Sequence, residues 1–373
     1  MTDSGRRRLH PRFPINTRRP GNTGCNSWWR TTTAIVPFRP SFGSGLCPRA
    51  AEAVVEIHVP DIIGTLRDLV HQIPPGRVTT YRALAEALGD PDSVRFVAAF
   101  LSSEEAKDWP VHRVVHSSGA VGRSFGEEAK KTVEKLAAEG VRIVGDRVEP
   151  LMRYFFQDFR TDRPLLRLQE EQREIGEKAV LSPLSDPQTI GALDVAYRGE
   201  EAVAALVLAD KKGEPLDYLT AWAPAKFPYI RTYLSYRELP AYLAVLKKAK
   251  EEGLWPDVVL VDGNGILHPR RAGIATHLGV LLDLPTVGVA KGHLCGDVNT
   301  EGMVIGEWRP VLLDGEMVAA ALRSGRNRTL FISPGHRADL ESSLALVQSL
   351  LGQEELPFPL RFAHEIATEA ARA

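Results

Sequence analysis

The chain has 373 residues, 44% of them hydrophobic and 25% charged, which is an ordinary globular composition with material for two or three domains. No apolar run approaches the roughly 20 residues of a membrane helix, which excludes a transmembrane span. Net charge is −1, but residues 1–50 hold nine Arg, no Lys and one acid, +8, which leaves −9 on the rest; nucleic-acid contacts there must come from local basic clusters.

Residues 1–52 have no helical or strand period and are rich in Arg, Pro, Gly and Thr, so they read as a disordered extension. Their composition partly suits a transit peptide or a basic nucleic-acid arm, and a non-functional extension is the plainer alternative. Cys25, Cys47 and Cys295 have neither metal-ligand spacing nor the number for a disulfide framework, which points to a reducing compartment, the cytoplasm.

Residues 53–148 make a first domain. "DIIGTLRDLVHQI" is helical, with Ile62, Leu66, Leu69 and Val70 on one face; "TTYRALAEALG" and "DSVRFVAAFLSSEE" follow as two helices around a "DPD" turn. Helix, tight turn, helix is the outline of a helix-turn-helix. A linker at 149–162 leads to the helix "LLRLQEEQREIGEKAV". From Thr189 the pattern changes to three consecutive strands, "TIGALDVAYR", "AVAALVLAD" and "LDYLTAWAPA". A helix, the strand "DVVLVDG", a helix, the strand "PTVGVAK", a strand pair around "LDGEMV", the strand "TLFISPG" and the helix "ADLESSLALVQSLL" complete a mixed-sheet α/β domain over 163–365, with 366–373 as a tail.

Acids stand at strand ends and helix starts of this second domain: Asp194 in "LDVAY", Glu238 after "FPYIRTYLSY", and Asp262 before "GNG". Carboxylates brought together on adjacent strands raise one another's pKa unless a cation lies between them. A hard divalent ion with oxygen ligands, Mg²⁺ with Mn²⁺ as substitute, resolves that conflict and points to phosphodiester hydrolysis. Plainer readings stay open: Asp262 as an Asp-Gly turn, Glu238 as a helix-dipole partner, and His336 as a cap for the helix after it. Gly263 and Gly265 would let backbone N–H groups approach a planar ligand, with His268, Arg270 and Arg271 supplying phosphate contacts. Lys291 ends the next strand on the side of Asp262 if the strands are parallel.

The stretches "LDVAY", "FPYIRTYLSYRE", "PDVVLVDGNGILHPRRAGIATHLGVLLDLPTVGVAK" and "SPGHRADLESSLALV" carry a resemblance, over about residues 160–365, to endonuclease V, a repair nuclease of ribonuclease H-like fold. The resemblance implies a monomeric, Mg²⁺-dependent nuclease that cuts the second phosphodiester bond 3′ to a deaminated base, chiefly the hypoxanthine of inosine. It implies metal positions at Asp194, Glu238 and Asp262, and phosphate or leaving-group contacts from Lys291 and His336. The pocket for the flipped base would be lined by Gly263, Gly265, Gly273 and Ile274, with His268 beside it and Tyr229 stacking into the vacated gap. One departure stands out: the family's Pro-Tyr-Ile-Pro-Gly wedge here reads Pro228-Tyr229-Ile230-Arg231-Thr232, which should loosen the turn.

Residues from about 60 to 148 resemble the DNA-binding domain of O6-alkylguanine-DNA alkyltransferases, through Pro110-Val111-His112-Arg113-Val114 and "SSGAVG". That family presents a nucleophilic Cys where Val111 stands, so the resemblance is to the alkyltransferase-like subgroup, which binds alkylated guanine without repairing it. It implies that Tyr81 rotates the nucleotide, that Arg95 fills the vacated stack, that Val111, His112 and Arg113 contact the DNA with them, and that His112 and Glu139 hold the pocket together. The expected fold is thus a mainly helical, winged helix-turn-helix-like DNA-binding domain before an α/β ribonuclease H-like nuclease, acting on damaged DNA. Two alternatives are a non-catalytic damage recogniser and a nuclease for inosine-containing RNA or branched DNA.

Overall fold

Helix α1 (Ile62–His71) buries Ile62, Leu66, Leu69 and Val70 at helical spacing, and Asp61 caps it by accepting the Gly64 N–H at 2.7 Å. There follow β1 (Thr79–Thr80), α2 (Tyr81–Leu88), α3 (Val94–Phe100), β2 (Val114–Val115), α4 (Glu127–Ala138), β3 (Ile143–Val144), β4 (Arg147–Val148) and α5 (Leu151–Tyr154). Gly89, at φ 102°, closes α2 in the left-handed conformation that glycine tolerates best, and Asp90 opens the turn into α3. α2 and α3 are the helix-turn-helix, and the β3–β4 hairpin is the counterpart of the expected wing. The computed structural model describes residues 57–122, 127–352 and 354–373; the Arg-rich extension lies outside the described residues.

After α6 (Pro164–Lys178) come the antiparallel strands β5 (Thr189–Arg198), β6 (Glu201–Asp210) and β7 (Pro215–Pro224). Then follow α7 (Leu234–Glu251), β8 (Val258–Val261), α8 (Ile274–Leu282), β9 (Thr286–Ala290), β10 (Trp308–Leu313), β11 (Glu316–Gly325), β12 (Arg328–His336) and α9 (Leu340–Leu351). One eight-stranded sheet results, in the order β10-β11-β12-β9-β8-β5-β6-β7, parallel only along β9-β8-β5. The mixed-sheet α/β expectation holds. Alternation along each strand divides the core: Ile190, Ala192, Val258 and Leu260 face one helical layer, while Leu193, Val259 and Val261 face α7 and α8.

The first layer contains a helix absent from the expected elements, α10 (Phe358–Arg372). Residues 366–373 are therefore no loose tail: the helix runs through them, and Ile366 and Ala367 are buried against β5 and β6 with Leu360 and Ala363.

The stretch expected as a linker is also pinned. Val78 donates its N–H to the Tyr154 carbonyl at 2.9 Å and accepts that of Phe156 at 2.8 Å. Gln72 and Arg160 exchange two bonds, of 3.0 and 2.7 Å. One apolar cluster then crosses the join: Leu66, Leu84, Leu88 and Val97 of the front helices pack with Leu165, Leu168, Phe227, Ile230, Tyr233 and Tyr236 of the nuclease side. At about 1.5–3 kcal/mol for each large side chain buried, this is a shared core rather than a tethered pair. Accordingly Ala53–Ala373 is one compact unit.

Candidate active site

Strand register assembles the site. Leu193 pairs with Val261 on parallel β5 and β8, so Asp194 and Asp262, the next residues, stand side by side; the Asp262 N–H donates to the Leu193 carbonyl at 3.1 Å. Both continue the pleat row that faces α10. Val261 pairs in turn with Gly288 of β9, and just beyond the end of that strand Lys291 reaches back to place Nζ 2.5 Å from Asp262 Oδ2. Glu238 enters from α7, its Oε1 accepting the Tyr197 hydroxyl at 2.8 Å. The cluster thus sits at the carboxyl ends of the parallel strands, where open α/β sheets leave a crevice.

The three acids act on one another. Asp194 is pushed above the usual carboxylate range by burial and then by the charge of Asp262. Glu238 is pushed to about 8 by burial, with Asp194 and Asp262 adding to the rise against the lowering bond from Tyr197. Among the described residues, no three His, Cys, Asp or Glu side chains are placed to hold a metal ion as they stand. Two nitrogen side chains meet the carboxylates: Lys291 on Asp262, and His364, whose Nδ1 lies 2.6 Å from Asp194 Oδ2.

His364 was not among the anticipated residues, because α10 itself was not. His336 is the corresponding correction. It pairs with Thr286 at the start of β9, the opposite end of that strand from Lys291. It is buried there, accepting the Val180 N–H through Nδ1 at 3.2 Å and meeting Asp283 through Nε2 at 3.1 Å. β12 runs antiparallel to β9, so its last residue lies at the sheet edge away from the acids.

Beside the acids, a cavity of about 140 Å³ is lined by Tyr229, Thr232, Asn264, His268, Gly273 and Ile274, among others. Tyr229 is 69% exposed, as a stacking wedge requires. Gly263 and Gly265 do not line the cavity. Gly265 donates its N–H to Ser333 Oγ at 2.8 Å, and a Cβ there would collide with the Pro334 carbonyl; its glycine identity serves packing. Inside the cavity wall, Asn264 Oδ1 is buried with no hydrogen-bond partner.

The altered wedge is not loose. Thr232 takes the left-handed conformation, φ 72°, which the family's glycine would adopt without strain. Side chains hold it there: its carbonyl accepts from Gln172 Nε2 at 2.9 Å, His268 Nε2 at 3.0 Å and Arg270 at 3.1 Å, and its hydroxyl from Arg270 at 2.7 Å. His268 and Arg270, expected as phosphate contacts, are therefore clamps, and Arg271 is spent on the Leu313 carbonyl and Glu316. Burial keeps the His268 imidazole neutral, down to about 3.

In the front module, Val111 and His112 lie on a single 3₁₀ turn. Glu139 binds His112 Nε2 at 2.9 Å and the Arg113 guanidinium at 2.7–3.1 Å, while Arg113 also donates to the Ile73 carbonyl at 2.8 Å. Arg113 therefore faces inward rather than toward DNA. A second cavity, of about 110 Å³, brings Tyr81 and the exposed Arg95 together with Val94, His116 and Ser117.

A mixed sheet with paired carboxylates at the ends of its parallel strands, a lysine on one of them and a cavity at the loop that follows Asp262 defines a nuclease with an acidic centre. Residues 173–365 match the family model for endonuclease V, and residues 65–141 that for the 6-O-methylguanine DNA methyltransferase DNA-binding domain. A bifunctional methyltransferase/endonuclease of Picrophilus torridus is 36% identical over 307 residues, 82% of this chain and 95% of that protein. The crystal structure of human ENDOV shares 33% identity over 56% of this chain and 98% of its own, with a TM-score of 0.51. Ciona intestinalis endonuclease V, solved with DNA containing an inosine followed by a ribo-adenosine, shares 27% identity over 57% of this chain and 99% of its own, also at 0.51. The chain belongs to the endonuclease V family and carries a methyltransferase-type DNA-binding domain fused in front.

Proposed function

We propose that this protein nicks DNA at the second phosphodiester bond 3′ to deoxyinosine in a Mg²⁺-dependent hydrolysis, and that its front domain binds O6-alkylguanine without removing the alkyl group. The observation that carries the nuclease reading is the side-by-side placement of Asp194 and Asp262, with Glu238 close enough to feel both charges. Hard oxygen donors that repel one another suit a divalent cation, which Asp194, Asp262 and Glu238 would hold. When bound, that ion supplies activation of water and charge stabilisation at the phosphate.

The other roles belong to the chain. Glu238, held at about 8 by burial, would have to give up its proton to serve as a ligand. Lys291 balances Asp262 and places an ammonium group where negative charge grows on the scissile phosphate. His364 is oriented through Nδ1 by Asp194 and is 55% exposed, which leaves Nε2 to deliver a proton to the departing 3′ oxygen. Tyr229 fills the gap left by the extruded base, whose edge the cavity at Asn264 and Gly273 reads. In the front module Val111 stands at the transfer position, and without a thiolate no S–alkyl bond can form there.

The test is cleavage of an inosine duplex with Mg²⁺ by the full chain and by Asp262→Ala. The wild type should cut one bond beyond the neighbour of the lesion and the variant should not; equal cutting by both removes Asp262 from the reaction. The DNA held by the Ciona enzyme supports a second substrate reading, so a duplex with a ribonucleotide 3′ to inosine belongs beside the all-DNA one. Faster cutting of that substrate would move the assignment toward RNA. For the front module, an O6-methylguanine duplex should bind more tightly than plain DNA at one fixed salt concentration.

A further inference from the structure

The join between the two modules runs through one carboxylate. Asp90 is 6% exposed and opens the turn of the helix-turn-helix. Its Oδ1 accepts the Asp92 N–H at 2.9 Å, which fixes the start of the segment leading into α3. Its Oδ2 accepts the hydroxyl of Tyr233 at 2.7 Å, across the join. The same hydroxyl takes Gln169 Nε2 at 2.8 Å.

Tyr233 directly follows the wedge. The guanidinium of Arg270 lies over its ring, 4.8 Å from the centroid, and the same guanidinium grips the carbonyl and hydroxyl of Thr232. Asp90 also reaches Arg270 by charge: burial weakens the hold of that guanidinium on its proton, and the charge of Asp90 opposes the effect. A hydrogen bond from the Tyr233 hydroxyl, and the guanidinium stacked on the same ring, therefore connect the DNA-reading turn of one module to the residue that sustains the left-handed wedge conformation in the other. Immediately around them, Gly89 packs so closely on α6 that a Cβ would press on the Leu166 backbone, and Thr161 Oγ1 donates to the Ala87 carbonyl at 3.0 Å.

We propose that Asp90, a residue of the DNA-binding module, is a positioning residue for the nuclease: by holding Tyr233, on whose ring Arg270 rests, it sets the Tyr229–Thr232 wedge, and with it the ability to extrude a base from a duplex. The front module is then part of the nuclease's recognition apparatus. This rests on the nuclease reading above. A wedge matters where a base must be drawn from a paired helix and matters little on a single strand, where the base is already free. Asp90 should accordingly govern the ratio of duplex to single-strand cleavage rather than cleavage as such.

The experiment compares full-length wild type, Asp90→Ala, Asp90→Asn and Tyr233→Phe on inosine in duplex and in single-stranded DNA. A parallel readout in metal-free buffer follows the fluorescence of a 2-aminopurine placed beside the inosine, which brightens when the stack opens. Loss of a buried hydrogen bond to a charged group should lower duplex cleavage by Asp90→Ala about tenfold or more, with single-strand cleavage within about twofold of wild type and the fluorescence rise diminished. Tyr233→Phe cuts the same link from the other end and leaves the turn's own cap in place, so it should reproduce the change in ratio. Asp90→Asn keeps an acceptor and removes the charge; full retention assigns the effect to the hydrogen bond, and loss assigns it to Arg270. Equal loss on both substrates, or an unchanged ratio in Asp90→Ala and Tyr233→Phe, overturns the proposal and leaves the nuclease reading intact. A wild type that cuts neither substrate overturns that reading, and this proposal with it.

Discussion

Each module holds an acidic centre that is at least half-buried, and the two are opposites. Glu139 is surrounded by donors: although burial raises it, hydrogen bonds from Arg113, His112 and the Gly76 N–H bring it down to about 2. Asp194, Asp262 and Glu238 have too few, so burial and mutual repulsion push Asp194 up and Glu238 to about 8. A carboxylate whose lone pairs are all satisfied is a bracket for the backbone around it. A group of carboxylates that stay in conflict is a place made for something else to bind.

The comparison can be broken from either side. Asp194→Asn should reduce cleavage by about a thousandfold or more, while thermal stability holds or rises because a repulsion has been removed. Glu139→Ala should do the reverse: it leaves the inward-facing Arg113 without its carboxylate at a cost of about 1–3 kcal/mol, visible as a lower melting temperature, with cleavage retained below that temperature. If Asp194→Asn proved the less stable of the two, the distinction drawn between the centres would be wrong.

Acid titration should sharpen the same contrast with a smaller effect. His268 and His277 are held neutral by burial, at about 3 and about 4 against 6.5 for the free side chain. Below pH 6.5 the unfolded chain takes up protons that these folded imidazoles refuse, so stability should fall from about 6.5 toward 4. Glu139 is depressed, so its contribution is complete above its unfolded value of 4.5 and fades only as the pH falls through about 2. Urea melts at pH 7.5, 5.5 and 4.5 should register the histidine loss first. The smallest signal is a gain: Val111→Cys places a thiol beside the His112–Glu139 pair and should accept at most one methyl group per molecule from O6-methylguanine DNA, measured by mass.

Much of this was legible in the chain. Strands β5 to β9 alternate or run apolar over the lengths expected, and the spacing of Asp194, Asp262 and Lys291 places all three on one pleat face once the strands are taken as parallel. The misplacement of His336 has a simple physical cause: a histidine ending an antiparallel strand lies at the far edge of the sheet from residues ending the parallel ones. α10 was there to be read, with Pro359 in its first turn and Leu360, Ala363, Ile366 and Ala367 at helical spacing, but "RFAHEIATEAARA" follows a seemingly complete domain. His364 was lost with it. The grip on Thr232 was beyond reach, since Gln172, His268 and Arg270 meet it only in three dimensions.

The apolar seam formed by Leu165, Leu168, Phe227 and the helices of the front module has an evolutionary corollary. Once each half has given up its water-compatible surface to the other, neither can be excised, shuffled or inherited alone without exposing an adhesive face. The union of reader and cutter would then be a one-way step, and descendants of this architecture should keep or lose both halves together.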